Sequence, residues 1–311
     1  MSRFLGCLAV LAIALGTHAA AARTLEVGAD KEFKQLSDAN GALHDGDRIA
    51  IYPGEYYDCA VVHANDVTIE GVGKNDAVVI TDKTCQGKAL LVTNGRNITV
   101  RNLTLARARV PDGNGAGIRA EGAGLLVDHV RFVNNQDGIL SAPQPDGTIS
   151  VVNSEFIENG VCTGACAHAI YAGKLKLLHV EHTRFYATKQ GHSIKSRALR
   201  TEVIGCDIED GPNGTSSYQI EIPNGGSLVA RDNTLEKGPH AENRGTSIAI
   251  GTEGVNQRTD EITIEHNKLT VDGDYSTVFV RNLSATPANL VGNVFAGPGK
   301  VRALDGDGTV H

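Results

Sequence analysis

The stretch "GHSIKSRALR", Gly191 to Arg200, puts His192, Lys195 and Arg197 within six residues. An ammonium and a guanidinium side by side can neutralise a carboxylate, and that makes the neighbouring C–H proton removable. A base must then take the proton, and an acid must protonate the group that departs. Lysine serves as the base only when its pKa falls toward neutrality, which a nearby cation and partial burial both favour. Tyr171 and Tyr218, on flanking segments, offer hydroxyls for the acid step. We therefore read Lys195, Arg197, His192, Tyr171 and Tyr218 as the candidate catalytic set, with Arg119, His168 and Glu221 as candidate ligand-binding residues. Glu221 works against the base role, because a carboxylate stabilises an ammonium.

These residues meet only if a repeat brings them to one face. The segments "ITVRNLTL", "LLVDHVRF", "ISVVNSEF", "LHVEHTRF", "TEVIGCDI", "LVARDNTL", "ITIEHNKL" and "ANLVGNVF" share one pattern. Their fifth positions are Asn102, His129, Asn153, His182, Gly205, Asp232, His266 and Gly292, spaced 27, 24, 29, 23, 27, 34 and 26 residues apart. Alternating strand pattern with a turn-forming residue at one fixed point, at an irregular period in the twenties, predicts a parallel β-solenoid. His129, His182 and His266 fall in that turn column, so we read them as turn residues and not as catalysts.

A second strand recurs between these segments as "AGIRA", "DGILS", "HAIYA", "HSIKS", "YQIEI" and "TSIAI". Its third residue is always isoleucine (118, 139, 170, 194, 220 and 248), which predicts an inward aliphatic stack. Alternation then turns the fourth residues outward: Arg119, Leu140, Tyr171, Lys195, Glu221 and Ala249. Arg197, two residues beyond Lys195, faces the same way. The first residues, including Asp137, His168, His192 and Tyr218, form a further column near a corner. The competing reading of the whole patch is structural, with a Lys195–Glu221 cross-coil ion pair beside a polar corner stack.

Composition agrees with a chain that turns often and packs aliphatic side chains: 36 glycines, 5% aromatic residues and no tryptophan among 311 residues. The net charge of -7 argues against general nucleic-acid binding. Charge is unevenly spread. Residues 168–200 carry seven Lys/Arg, four His and one acid, whereas 207–265 carry eleven acids and four Lys/Arg. Such a basic island can attract an anionic ligand locally; the alternative is charge scattered over solvated loops. The opening "MSRFLGCLAVLAIALGTHAAAA" has the layout of a secretory signal over residues 1–22, with cleavage expected between Ala19 and Ala22. No later segment is long and apolar enough to span a membrane. We expect a secreted or periplasmic protein with one domain over 23–311. Cys59 with Cys85, and Cys162 with Cys166, are the expected disulfides in an oxidising compartment. Free thiols are the alternative for the second pair, and Cys206 is expected to be a small buried residue.

"GDRIAIYPGEYYD", then "VTIEGVG" and the repeats, resembles the N-terminal part of right-handed parallel β-helix proteins of the pectate-lyase-like superfamily. The resemblance spans nearly the whole mature chain. It implies an all-β solenoid of about nine or ten coils, with a short helix ahead of "GDRIAIYPGEYY" capping its open end, and it leaves the activity open. Locally, "HSIKSRALRTEVIGCDIED" resembles the "IS-x-KS" stretch of the alginate and chondroitinase-B-type lyases, polysaccharide lyase family 6, which implies Lys195 as the base. Three positions depart from that family. His192 replaces an acidic calcium-site residue, Glu221 stands where an arginine is expected, and "HAIYAG" replaces "NG-x-E". "QGHS" with Lys195, and "NNQDGI", resemble polygalacturonase motifs, but the paired aspartates such hydrolases use are missing from the matching region.

The expected partner is an acidic, uronate-containing polysaccharide. The expected activity is β-elimination, or C5 epimerisation through the same first proton abstraction. The alternative is a glycan-binding surface without catalysis, and the third reading is a polygalacturonase-like hydrolase. No metal-ligating cluster stands out; a calcium ion remains open, and a monomer is expected.

Overall fold

The computed structural model describes residues 22–311. The expected signal segment therefore lies, but for Ala22, outside the described residues. The chain winds through three parallel sheets of twelve, ten and ten strands, here called A, B and C. One coil shows the path. Ile98–Arg101 lies in sheet A, Thr104–Ala106 in sheet B and Ala116–Ala120 in sheet C, and the chain returns to sheet A at Leu125–Asp128. Each strand pairs in parallel with its counterparts one coil before and after.

The fixed turn column is the bend from sheet A to sheet B. Asn102, His129, Asn153, His182, Asp232 and His266 all take positive φ there, between 47° and 58°, and Gly205 and Gly292 take 59° and 60°. Left-handed backbone is costly for most side chains and easiest for Gly, with Asn, Asp and His enriched among the rest. The column's composition is thus a backbone requirement. One residue later the bend is stitched by buried amides: the Asn233 side chain donates to Asn267 Oδ1 at 2.8 Å, and the Asn267 side chain donates to Asn293 Oδ1 at 2.9 Å.

Sheet C carries the isoleucine stack. Ile118, Ile139, Ile170, Ile194, Ile220 and Ile248 pair rung by rung, and all six are fully buried. Sheet B adds Phe132, Phe156 and Phe185, whose rings stack at 4.5 and 4.8 Å. Side chains of this size each contribute about 1.5–3 kcal/mol when withdrawn from water. A six-residue helix, Leu36–Gly41, sets Leu36 and Ala39 into the same core at the first coil. The Cys59–Cys85 and Cys162–Cys166 disulfides are both formed. Cys206 is buried, and burial pushes its thiol up to about 12. No helix among the described residues is long and apolar enough to cross a membrane.

Candidate functional site

The outward column of sheet C runs Arg119, Leu140, Tyr171, Lys195, Glu221, Ala249, each paired with the next. Against its middle lies a cavity of about 430 Å3 whose wall includes His168, Tyr171, His192, Lys195 and Arg197. Arg197 follows the Ile194–Ser196 strand and reaches the same cavity as Lys195, as alternation predicts. Arg197 Nε donates to Tyr171 Oη at 3.0 Å. The guanidinium thus holds the phenol in place and lies where it stabilises negative charge on that oxygen.

The corner column is a hydrogen-bond ladder. Asp137 Oδ1 accepts the His168 N–H at 2.7 Å, His168 Nδ1 accepts the His192 N–H at 2.8 Å, and His192 Nδ1 accepts the Tyr218 N–H at 3.2 Å. The two imidazoles stack at 4.5 Å. A ring nitrogen that accepts a backbone N–H carries no proton, so hydrogen bonding assigns the proton to Nε2 in both rings. Burial, then the neighbouring His192 and Lys195, hold His168 well below the usual histidine pKa. His168 can therefore offer the cavity a neutral N–H donor. His192 Nε2 faces Glu221 Oε2 at 3.1 Å, leaving no free lone pair on the ring for a base.

Lys195 is more tightly paired than its sequence suggests. Its Nζ lies 2.7 Å from Glu253 Oε1 and 3.1 Å from Glu221 Oε2. The second oxygen of Glu253 meets Arg197 Nη2 at 2.7 Å, so one carboxylate bridges both cations. Burial pushes the Lys195 pKa down, but the two carboxylates more than offset this and hold it above the ordinary lysine value. The expected fall toward neutrality is thus reversed, and Lys195 stands in this site as an ammonium.

Glu221 also departs from its expected place. It is 3% exposed and is held from several sides, with the Thr252 hydroxyl donating to it at 2.6 Å. Its Oε2 lies 3.1 Å from both Lys195 Nζ and His192 Nε2. Burial raises its pKa, yet the hydrogen-bonding and charged neighbours bring it down to about 2. It supports the site from beneath and is not on the cavity wall. Tyr218 packs behind His192, ring centroids 5.1 Å apart, and is likewise off that wall.

Arg119 lines a second cavity of about 270 Å3, with Asp137 and Leu140. Both cavities share Tyr171, Ala165 and Cys166, so the hairpin closed by Cys162–Cys166 borders them both. Arg119 is itself paired with Glu121, Nε to Oε1 at 3.3 Å.

Glu253 is the site residue that pattern reading missed. It sits between Gly251 and Gly254, both at positive φ, in "GTEG". That string marks an acid at the tip of a tight turn, the one local signal that could have drawn attention to it. Among the described residues no group of three or more His, Cys, Asp or Glu is arranged to hold a metal ion.

No family model matches the chain. Solved structures share its fold. An alginate lyase from Paenibacillus sp. str. FPU-7 superposes with a TM-score of 0.62 at 16% identity, covering 91% of this chain and 99% of that one. Pectin methylesterase PemA from Erwinia chrysanthemi gives 0.40 at 10% identity, covering 89% and 80%. The Azotobacter vinelandii mannuronan C-5 epimerase AlgE4 A-module gives 0.35 at 14%, covering 88% and 93%. Three long parallel sheets, the inward isoleucine stack and the alginate-lyase superposition show that the chain folds as a right-handed parallel β-helix.

Proposed function

We propose that the protein is exported and acts, as a monomeric single domain, on an acidic uronate-containing polysaccharide by β-elimination, or by C5 epimerisation through the same first step. One observation carries the reading. Arg197 holds the Tyr171 hydroxyl at 3.0 Å on the wall of a cavity that Lys195 also lines. Two cations there neutralise a uronate carboxylate, which acidifies the C5 proton. Tyr171, when ionised, takes that proton, and Arg197 stabilises the phenolate that does so. The C4–O4 bond breaks as the C4–C5 double bond forms, and the Tyr171 O–H returns its proton to O4. His168 Nε2 adds a neutral donor to a substrate oxygen. Lys195 serves as the ammonium beside the carboxylate. This differs from the base role that the local family resemblance implies, and the raised lysine pKa is the reason. The fold shared with an alginate lyase is compatible with the reading, but at 16% identity it does not carry it.

A second reading has its own support. Lys195 and Arg197 are both engaged by Glu253, as in a fixed binding surface without turnover. One assay separates the two. The mature protein is incubated with alginate, pectate and glycosaminoglycans, with and without calcium, while ultraviolet absorbance follows the unsaturated product and proton NMR follows exchange at C5. Elimination or exchange that is lost in Tyr171→Phe supports the enzyme. Binding with neither signal in the wild type supports the surface.

A further inference from the structure

The second cavity holds two polar groups that the proposed reaction does not use. Asp137 is 1% exposed, lines the cavity and spends one oxygen on the His168 N–H at 2.7 Å. Arg119 lines it too, and its buried Nε has no aligned hydrogen-bond partner. Burial pushes Asp137 up to about 8, with only partial relief from the His168 N–H and Arg119, which favours the protonated carboxyl at neutral pH. The wall thus presents a guanidinium and a carboxylic O–H, both donors. Exposed Asp112 and Asn114 stand at the mouth and can accept from hydroxyls.

Position adds to this. Arg119, Leu140, Tyr171 and Lys195 are successive rungs of sheet C. Three rungs span roughly 14 Å at the parallel-strand spacing. That is the reach of a short oligosaccharide and not of one sugar ring. Tyr171 belongs to both cavities and links them.

We propose that the second cavity is a subsite for another uronate of the same chain, its carboxylate held by Arg119 and the carboxyl group of Asp137. The inference rests on the proposed function and extends it: the ligand is an oligomer that occupies both cavities, and its length governs affinity.

The test is calorimetric binding of dimers and hexamers of mannuronate, guluronate and galacturonate, with a neutral glucose hexamer as control. Arg119→Ala should weaken the acidic hexamer about tenfold, a loss of about 1.4 kcal/mol, and leave the dimer within twofold. Asp137→Asn keeps the acceptor for the His168 N–H and a donor toward the cavity, so it should bind the hexamer nearly as the wild type does. At pH 9 the wild type should lose hexamer affinity, because ionised Asp137 repels the carboxylate, while Asp137→Asn holds it. The ionisable groups around Asp137 here are Arg119, His168, Tyr171 and Asp112. Asp137→Asn, which does not ionise, separates its contribution from theirs. Equal effects of Arg119→Ala on dimer and hexamer, or none on either, overturn the subsite while leaving the proposed function standing. Failure of every acidic oligomer to bind the wild type overturns both.

Discussion

Lys195 and Glu253 are 58 residues apart in the chain, yet their side chains meet at 2.7 Å. The turn from Gly251 to Gly254 carries the carboxylate back over the sheet to the lysine, and its other oxygen takes Arg197. This single acid holds the Lys195 and Arg197 charges together and, with Glu221, keeps the lysine protonated.

Replacing Glu253 by glutamine should lower the Lys195 pKa, because the removed charge is one of the groups that raise it. Glu221 remains, so the fall is partial. Nitrogen-15 NMR titration of the lysine ammonium reads it directly. An unchanged pKa would mean that Glu253 does not set the lysine's charge state.

Tyr171→Phe removes the oxygen that Arg197 holds and keeps the ring that packs edge-on to His168. Turnover on a uronate polymer should fall about 100-fold or more, the usual scale for losing a proton-transfer group. Oligomer affinity should change less than twofold. A parallel loss of affinity and turnover would make Tyr171 a binding residue only.

Two groups, His168 and Glu221, should each lose their stabilising contribution in acid. His168 has a depressed folded pKa, so the unfolded chain binds its proton first and stability falls as pH drops below about 6.5. Glu221 has a folded pKa of about 2 against 4.5 for the free group, and its contribution is lost between those values. That contribution is on the order of 3 kcal/mol as an upper bound, since the pair with Lys195 shares it. Urea melts of the wild type and of His168→Asn from pH 8 to pH 3 read these contributions. The stability difference between the two should change as pH drops below about 6.5, and a difference that stays constant with pH would remove His168 as the cause.

Asp137 behaves with the opposite sign. Its folded pKa is raised, so the cost of keeping it protonated grows as pH climbs from about 4 to about 8. Asp137→Asn should therefore melt higher than wild type at pH 8, by roughly 5 °C. The difference should vanish below about pH 4, where the carboxyl is protonated in both states. Calorimetry across that range checks it, and an equal shift at every pH would point to packing instead of charge.

Much of this protein was determined by local pattern in its sequence. The invariant isoleucines mark an inward stack because strand side chains alternate with period two. The Asn, His, Asp and Gly column marks a left-handed bend because few other residues tolerate it. Both disulfides match pairings that the cysteine spacing suggests, and the shared face of Tyr171, Lys195 and Arg197 follows from alternation. What those side chains touch was decided by tertiary structure alone. Glu253 arrives on a turn two rungs from Lys195, Glu221 and Tyr218 sit off the cavity wall, and the His168 and His192 rings spend their lone pairs on backbone N–H groups of the next coil. Strand period tells which way a residue points. It says nothing of a loop that folds back across coils, or of the burial and neighbouring charge that set whether a lysine, a histidine or an aspartate carries its proton.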